Sequence, residues 1–296
     1  MIHGKIGGLE IGDSKPVLVM GVVNLTKNSF YGGSVRTGTS EIASIAESMK
    51  KEGASIIDVG ARSTAPYRKY DIPEHTESKL LAEAIRLISS KVSLPISADT
   101  TRYLPAKAAL EEGASILNDV YGLTQKDSNK LARLAASKEC SLLLAAHESR
   151  VHRPHDPIVR IKDCLEKSIE LAESEGVERD QITIDPGIGF FSDPNLSNVE
   201  WNCNAIARLE ELRTFERPIC VGVSRKRFIG SLTGDKPTDL RLHGSLAATA
   251  ISVYNGAHVI RTHDVSATLE AVRVAEGTRK NSLIHQTAGQ SRRDSK

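Results

Sequence analysis

Features that would mark several common classes of protein are missing from this chain of 296 residues. Its four cysteines show no C-x-x-C spacing, so the sequence predicts neither a zinc site nor a disulfide framework. No apolar run reaches the ~18 residues that would span a membrane, and the N-terminus lacks a secretory apolar segment. Lysine and arginine total 39 against 37 aspartates and glutamates, so the charge gives no reason to expect a nucleic acid or a membrane as partner. We therefore expect a soluble, cytoplasmic protein.

Motifs of several catalytic mechanisms are missing as well. There is no H-E-x-x-H zinc motif, and no cysteine lies at a clear strand end as a nucleophile. Ser224 follows Gly222 and Val223 but lacks the G-x-S-x-G pattern of a nucleophilic serine, so we interpret it as a hydrogen-bonding residue. Neither G-x-G-x-x-G nor G-x-x-x-x-G-K-[ST] occurs, which removes the usual nucleotide-binding loops. The functional groups must therefore be sought at the ends of the predicted strands.

What the chain does contain is a short module that recurs. Each copy has a glycine that ends a helix, an apolar run for a buried strand, and a polar side chain near the end of that strand. These polar residues are Asp58, Asn118 and Arg261. Because repeated helix-to-strand units run their strands in one direction, the three side chains are predicted to reach the same end of a parallel sheet. The copies cover residues 52–60, 112–120 and 255–263.

Strand and helix patterns alternate along almost the whole chain and predict eight strands. That number indicates a (β/α)8 TIM barrel preceded by an N-terminal β-hairpin over Met1–Gly12. A doubly wound open sheet is the alternative, but the glycine-rich turn that usually follows its first strand is missing. We expect a single domain over residues 1–280 and a polar, disordered tail over 281–296. The expected strands are 17–23, 55–59, 94–98, one ending at 118–119, 141–146, 181–184, 218–223 and one ending near 261; the expected helices are 40–52, one starting at 73, 104–112, 128–138, 158–175, 198–214, 240–254 and 265–276.

Polar side chains follow most of these strands and would meet at the carboxyl end of the barrel, where such barrels hold their active sites. One such residue alone is equally explained as a helix cap or a loop contact. Five together, each from its own strand, indicate a binding site. Carboxylates, an amide and a lysine suit a flat heterocycle with neighbouring donors and acceptors, and Arg261 with His263 suits a phosphate. The five are Asp99, Asn118, Asp185, Lys226 and Arg261; the other polar residues at strand ends are Asn24, Asp58, His147 and Ser224.

The strand-end blocks resemble those of dihydropteroate synthases, a family of pterin-binding enzymes. D-P-G-I-G-F at 185–190 and G-V-S-R-K at 222–226 are specific to that family in combination, and the other blocks follow the family's order along nearly the whole chain. The resemblance implies a homodimeric transferase that condenses 6-hydroxymethyl-7,8-dihydropterin diphosphate with 4-aminobenzoate or a related aryl amine and releases pyrophosphate, in the synthesis of folate or a related pterin cofactor. The other blocks are M-G-V-V-N at 20–24, D-V-G at 58–60, S-A-D-T at 97–100, N-D-V at 118–120 and R-T-H-D-V at 261–265.

Carried over by position, the resemblance implies three sets of substrate contacts in the barrel mouth and a Mg²⁺ ion. Catalysis would depend on charge and positioning without a covalent enzyme intermediate, because Mg²⁺ and cationic side chains would stabilise the departing pyrophosphate. The residues expected to carry catalysis are Asp99, Asp185, Lys226 and Arg261. The expected contacts are Asp99, Asn118, Asp185 and Lys226 for the pterin ring; Asn24, Arg261 and His263 for the diphosphate; Ser63, Thr64, Pro66, Phe190 and Ser224 for the aryl amine; and Asn24 for Mg²⁺.

Two loops depart from the family's pattern. The first usually reads N-x-T-P-D-S-F, and N-L-T-K-N-S-F at 24–30 has the amide Asn28 in place of the carboxylate. The second usually reads G-G-E-S-T-R-P, and G-A-R-S-T-A-P at 60–66 has Ala65 in place of the arginine. One hypothesis is a modified second substrate, such as the ribosyl phosphate derivative of an aminobenzene that archaea use for methanopterin. Basic residues that would meet its phosphate, but are equally explained as solvated loop charges, are Arg62, Arg68, Lys69, Arg150 and Arg153.

The sequence leaves two other functions open. A pterin-binding methyltransferase domain that uses methyltetrahydrofolate has the same barrel. Its methyl donor carries no diphosphate, however, so residues 224–226 and 261–263 argue against it. A non-catalytic pterin-binding protein is the other alternative, because the altered loops allow loss of the reaction. Diphosphate-dependent binding without turnover of any aryl amine would favour that second alternative.

Overall fold

The computed structural model describes residues 1–25, 35–62, 71–148 and 155–291, and eight parallel strands within them form a barrel. This confirms the predicted TIM barrel. The strands are β1 His3–Ile6, β2 Leu9–Gly12, β3 Leu18–Asn24, β4 Ile56–Gly60, β5 Ile96–Asp99, β6 Ile116–Asp119, β7 Ser141–Ala145, β8 Ile182–Asp185, β9 Cys220–Val221 and β10 Val259–Thr262.

Neighbouring barrel strands are hydrogen bonded in the order β8-β7-β6-β5-β4-β3-β10-β9. A parallel bridge between Ile184 and Ile219 joins β8 to the residues just before β9, and the N–H of Ile184 donates to the carbonyl oxygen of Pro218 at 2.9 Å. These contacts close the sheet. All eight strands therefore point their carboxyl ends to the same side of the molecule.

Helices lie between the strands and cover the outside of the barrel. The helix expected over 198–214 is interrupted at Arg208, whose φ of −106° and ψ of 19° leave the helical region, and the chain continues as a 3-10 helix. The last helix runs to Ser291, beyond the expected end at Glu276, and so includes part of the predicted tail. The helices are α1 Val35–Lys51, α2 Glu74–Ser89, α3 Tyr103–Glu111, α4 Ser128–Ser137, α5 Pro157–Ser174, α6 Asn198–Ala207, α7 Arg227–Leu232, α8 Leu242–Tyr254 and α9 Val265–Ser291, with 3-10 helices at Arg179–Gln181, Leu209–Phe215 and Thr238–Leu240.

The recurring module has one backbone geometry in all three copies. Its glycines, Gly53, Gly113 and Gly256, have φ values of 100°, 108° and 105°, a region that L-residues with a Cβ rarely adopt. The N–H of the residue after each glycine bonds back to the carbonyl five residues earlier, as in a Schellman cap. The glycine therefore ends the helix and directs the chain into the next strand.

The predicted N-terminal hairpin is present, and it closes the amino end of the barrel. Gly7 and Gly8 form its turn with φ values of 56° and 84°, which suits the twist of a two-residue hairpin loop. Ile6 and Ile11 are fully buried against the starts of the barrel strands. This end is packed with apolar side chains, so a site with polar groups must lie at the other end.

The main hydrophobic core lies between the barrel and its helices, and α2 shows the pattern. Leu81, Ala84, Ile85 and Ile88 are fully buried on one face of that helix, at helical spacing. Glu77 shares this face and is also fully buried. Among the described residues, no helix combines the length and apolar character that a membrane crossing requires.

Candidate active site

Arg261 on β10 is the centre of a buried ionic cluster at the carboxyl end of the barrel. Its Nε donates to Oδ2 of Asp58 on β4 at 2.6 Å, and its Nη2 donates to Oδ2 of Asp99 on β5 at 2.7 Å. Nδ2 of Asn118 on β6 lies 3.3 and 3.4 Å from the two carboxylate oxygens of Asp58. Four strands therefore bring polar side chains to one point, and three of these side chains, Asp58, Asn118 and Arg261, come from the recurring module.

Asp99 has one carboxylate oxygen that is available to a ligand. Its Oδ1 is buried and has no hydrogen-bond partner among the described residues, while Oδ2 binds Arg261. Burial raises the pKa of Asp99 to about 7 against the opposing charge of Arg261, and the neighbouring carboxylates Asp58 and Glu77 add to the increase. A buried acceptor without a donor is unfavourable, so Oδ1 is suited to receive a hydrogen bond from a bound molecule.

Asp185 ends β8, and its position depends on the glycine two residues later. Its Oδ1 accepts from the N–H of Gly187 at 2.7 Å. Gly187 has a φ of 69°, and a Cβ at this position would lie 2.2 Å from the carbonyl oxygen of Ala146. This close approach explains the first glycine of the D-P-G-I-G-F block. Burial raises the pKa of Asp185, while the Gly187 N–H and Lys226 oppose the increase.

Lys226 lies between the segments that follow β8 and β9. Its Nζ is 4.4 Å from the centroid of the Phe190 ring, a cation–π contact. Its methylene chain passes over Gly189, where a Cβ would lie only 3.1 Å from Cδ. Burial lowers the pKa of Lys226 to about 8, although the charge of Asp185 raises it. Lys226 is therefore a cation at neutral pH, held in a fixed place by an aromatic ring.

His263 joins β10 to two other strand ends. Its Nδ1 lies 3.0 Å from Oγ of Ser224, and its Nε2 lies 3.4 Å from Nδ2 of Asn24. Burial lowers the pKa of His263 to about 4, and the neighbouring cations Arg261 and Arg225 contribute. The imidazole is therefore neutral at pH 7, so it can contact an anion through hydrogen bonds but adds no positive charge.

Comparisons with known proteins show the family to which the chain belongs. The family described as "Pterin binding enzyme" matches residues 20–263. The dihydropteroate synthase of Escherichia coli K12 is 32% identical over 263 residues, which cover 88% of this chain and 91% of that protein. The enzyme of Neisseria meningitidis serogroup B is 34% identical over 280 residues, covering 92% and 96%. This chain belongs to the dihydropteroate synthase family of pterin-binding enzymes.

Solved structures of dihydropteroate synthases share the fold. One from Clostridium difficile, determined in the presence of pteroic acid, has a TM-score of 0.82 at 31% identity and covers 89% of this chain and 97% of that one. Two from Xanthomonas albilineans, with 4-aminobenzoic acid and with 7,8-dihydropteroate, have TM-scores of 0.82 and 0.80 at 29% and 28% identity. Each covers 94% of this chain and 98% of its own. As a member of the dihydropteroate synthase family, the chain is a transferase.

Arg62, which replaces the glutamate of the family's second loop, is held by other side chains of the protein. Its side chain is only 12% exposed, and its Nη2 donates to Oγ1 of Thr101 at 2.7 Å. Its Nε lies 3.8 Å from Oε2 of Glu77, which also accepts from Nη1 of Arg102 at 3.0 Å. Arg62 therefore neutralises a buried carboxylate on α2. This arrangement argues against Arg62 as the contact for a substrate phosphate.

The structure brings most of the predicted site residues to one end of the barrel. The second-loop residues Ser63, Thr64 and Pro66 lie outside the described residues, as do Asn28, Arg68, Lys69, Arg150 and Arg153. His147, also at a strand end, packs against the ring of Tyr121 with 4.5 Å between centroids. The individual roles stay predictions. The residues found together are Asn24, Asp99, Asn118, Asp185, Phe190, Ser224, Lys226, Arg261 and His263.

The sequence analysis gave no specific role to two residues that the structure makes important. Asp58 accepts hydrogen bonds from both Arg261 and Asn118, although the sequence marked it only as a strand-end residue. Glu77 accepts from Thr100 Oγ1 at 2.6 Å, next to Asp99. A signal for Glu77 was present: it lies four residues before Leu81 on the apolar face of a helix, where a charged side chain needs a partner.

Proposed function

We propose that this protein condenses 6-hydroxymethyl-7,8-dihydropterin diphosphate with 4-aminobenzoate to give dihydropteroate and pyrophosphate. The observation that carries the proposal is the buried oxygen of Asp99, which has no donor among the described residues, in the same barrel mouth as Asp185 and Lys226. The structures of the Xanthomonas albilineans enzyme with 4-aminobenzoic acid and with 7,8-dihydropteroate support both the proposed second substrate and the proposed product. The pairing of Arg62 with Thr101 and Glu77 favours 4-aminobenzoate over its ribosyl phosphate derivative.

The pterin ring would be bound through matched donors and acceptors. The carboxylate of Asp185 can accept from the 2-amino group and the adjacent ring N–H together, a two-point contact that a single charge could not give. Oδ1 of Asp99 would accept from another ring donor, and Asn118 would lie beside it. Lys226, charged below a pKa of about 8, would donate to a ring acceptor. These groups orient the reactive methylene toward the diphosphate end.

The diphosphate would lie against Arg261, His263 and Asn24. Because His263 is neutral at pH 7, Arg261 and Lys226 supply the positive charge at this end of the site. The bond between the pterin methylene carbon and the diphosphate oxygen breaks, its electrons leave with pyrophosphate, and the amine nitrogen then bonds to the methylene and loses a proton to solvent. Cations placed near the leaving oxygen lower the activation free energy of this step, and no covalent enzyme intermediate is needed.

We also propose a Mg²⁺ requirement, with Asn24 as a ligand. Its amide oxygen suits a hard cation, and Asn24 is exposed at the end of β3 beside His263. The described residues contain no group of three or more His, Cys, Asp or Glu that could hold a metal. Diphosphate oxygens and water would also serve as ligands. When bound, Mg²⁺ would neutralise charge on the departing pyrophosphate.

A homodimer and a cytoplasmic location complete the proposal. On α8 the exposed residues His243, Ala247, Ile251 and Tyr254 recur at helical spacing and form one stripe. Ile251 and Tyr254 are 50% and 45% exposed, and Val274 on the neighbouring helix α9 is 70% exposed. Large apolar side chains at the surface of adjacent helices are suited to contact with a second copy of the chain.

The test is pyrophosphate release from the purified protein with Mg²⁺ and the dihydropterin diphosphate. Parallel reactions would contain 4-aminobenzoate, its ribosyl phosphate derivative, or no amine. We expect release that depends on 4-aminobenzoate. Release only with the derivative would reject 4-aminobenzoate as the substrate. Tight binding of the diphosphate with no release in any reaction would reject the synthase function in favour of a binding protein.

A further inference from the structure

The turn between β9 and α7, residues 224–226, has a backbone geometry that its sequence does not favour. Arg225 has a φ of 59°, in the left-handed region that residues with a Cβ rarely adopt. Such a conformation persists only where surrounding contacts determine it, and it recurs at functional sites. Ser224 and Lys226, on either side, belong to the candidate active site.

Three contacts fix Arg225 in this conformation. Its guanidinium forms a two-point ion pair with Asp264, with Nε to Oδ2 at 3.0 Å and Nη2 to Oδ1 at 2.6 Å. Its backbone N–H donates to Oγ of Ser245 at 2.9 Å. Its backbone carbonyl accepts from Nη1 of Arg241 at 3.0 Å. Both backbone groups and the side chain are thus held, from α8 on one side and from the end of β10 on the other.

The same contacts connect two parts of the active site. Asp264 is the neighbour of His263, whose backbone N–H donates to Oγ of Ser224 at 3.3 Å. The turn and the end of β10 are therefore joined twice, once by Arg225 and Asp264 and once by Ser224 and His263. Displacement of Arg225 would move Ser224 away from His263 and Lys226 away from the Phe190 ring.

We infer that Arg225, Asp264 and Arg241 are positioning residues that fix the 224–226 turn against β10 and so place Lys226 and His263 for the dihydropterin diphosphate. The inference rests on the proposed function, because it assigns these residues to binding of that substrate. None of the three needs to contact the substrate. Their contribution is to preserve a strained turn that the backbone alone would not maintain.

A double-mutant cycle on the ion pair tests the inference. The variants are Arg225→Gln, Asp264→Asn and the two together, with the Kd for the dihydropterin diphosphate measured by calorimetry without amine and kcat and KM measured with 4-aminobenzoate. Each single variant is expected to raise Kd and the diphosphate KM about tenfold, the effect of losing a charged hydrogen bond. KM should change more than kcat. The double variant should be no worse than the worse single variant, because both lose the same contact.

Asp13→Asn is a matched control. Asp13 and Arg213 also form a two-point ion pair, through Nη1 and Nη2 of the arginine at 2.9 and 2.8 Å, beside the N-terminal hairpin. Their side chains are 17% and 31% exposed, close to the 20% and 34% of Asp264 and Arg225. The control should lower Tm at least as much as Asp264→Asn but leave Kd and KM unchanged. Equal weakening of binding by both variants, or a wild-type Kd for Asp264→Asn, would overturn the inference.

Gly230→Ala perturbs Arg241 without changing any group near the substrate. A Cβ on Gly230 would lie 2.6 Å from Nε and 2.8 Å from Cζ of Arg241, so the guanidinium must move. The expected result is a severalfold rise in the diphosphate Kd, and an unchanged Kd would remove Arg241 from the inference. If the wild type releases pyrophosphate and the variants bind the diphosphate with the wild-type Kd, only the inference is overturned. A wild type that neither binds the diphosphate nor releases pyrophosphate would reject the proposed function and the inference together.

Discussion

Asp58→Asn is the substitution that most directly tests the ionic cluster, because it removes one charge and keeps the shape of the side chain. Asp58 is fully buried and accepts from Arg261 at 2.6 Å. The same guanidinium nitrogen, Nη2, lies 2.6 Å from Asp58 and 2.7 Å from Asp99. Two carboxylates share one cation, and the charge of Asp58 raises the free energy of ionising Asp99. We expect the substitution to change the pH at which Asp99 becomes a carboxylate.

The size of this change follows from Coulomb's law. Two unit charges about 5 Å apart at an effective dielectric constant of about 20 interact by about 3 kcal/mol, equivalent to about two pH units. The pKa of Asp99 is raised to about 7, mainly by burial and further by Asp58. Since Asp99 must be ionised to accept from the pterin, wild-type binding should weaken as pH falls through about 7. In Asp58→Asn this loss should begin about one to two pH units lower.

The assay is the Kd for the dihydropterin diphosphate between pH 5 and about 8, below the pKa of about 8 at which Lys226 loses its charge. At pH 6 the wild-type Kd should be about tenfold weaker than its limit at higher pH, because only about a tenth of Asp99 is ionised. Asp119→Asn is the control: Asp119 is buried nearby but accepts from the N–H groups of Tyr121 and Leu123. A wild-type acid midpoint near 4, or equal shifts in both variants, would refute the reasoning.

Three further predictions concern other parts of the structure. Gly187→Ala should reduce the free energy of unfolding, measured by denaturant titration, by about 3 kcal/mol or more, because φ is 69° and the new Cβ meets a backbone oxygen. In the same titration the control Gly8→Ala, at φ 84° with no atom within 4 Å, should reduce it by only about 1 kcal/mol. Lys226→Met should lower kcat/KM by about 10- to 100-fold in the pyrophosphate assay, and a wild-type value would exclude Lys226 from the site. Ile251→Glu should convert the proposed dimer to a monomer in analytical ultracentrifugation, whereas Val159→Glu, 38% exposed on α5, should not.

The parts of the fold that could be predicted are those that local chemistry determines. The strands and their common direction could be predicted from the helix-ending glycines and the apolar runs after them, because residues with a Cβ rarely adopt the geometry found at Gly53, Gly113 and Gly256. Strand β9 is shorter than predicted, with two residues, since the chain before it forms only a single bridge to β8. The helix break at Arg208 was not predictable from apolar spacing, because the arginine's contacts are polar: a local one with Glu211 and a long-range one with Asp156.

The candidate site was predictable as a set of residues but not as a set of contacts. Strand-end position identified Asp58, Asp99 and Asp185 alike, since a parallel barrel brings all such residues to one mouth. It could not show which carboxylate is already paired. Arg62 illustrates the same limit of sequence: its place in an altered loop suggested a substrate contact, whereas burial beside Glu77 gives it a protein partner. The pairing depends on the directions of side chains on different strands, and the apolar periodicity of the sequence does not determine these directions.

The division of work among the carboxylates follows from how many donors each one has. Asp58 is fully buried and receives donors from Arg261 and Asn118, so it has little left to offer a ligand and serves to hold the guanidinium. Asp99 shares that guanidinium through one oxygen and keeps the other without a donor among the described residues. An ion pair in a low-dielectric site is favourable only when its remaining lone pairs are satisfied. A pterin donor would satisfy Asp99, so substrate binding and the internal stability of the cluster are expected to increase together.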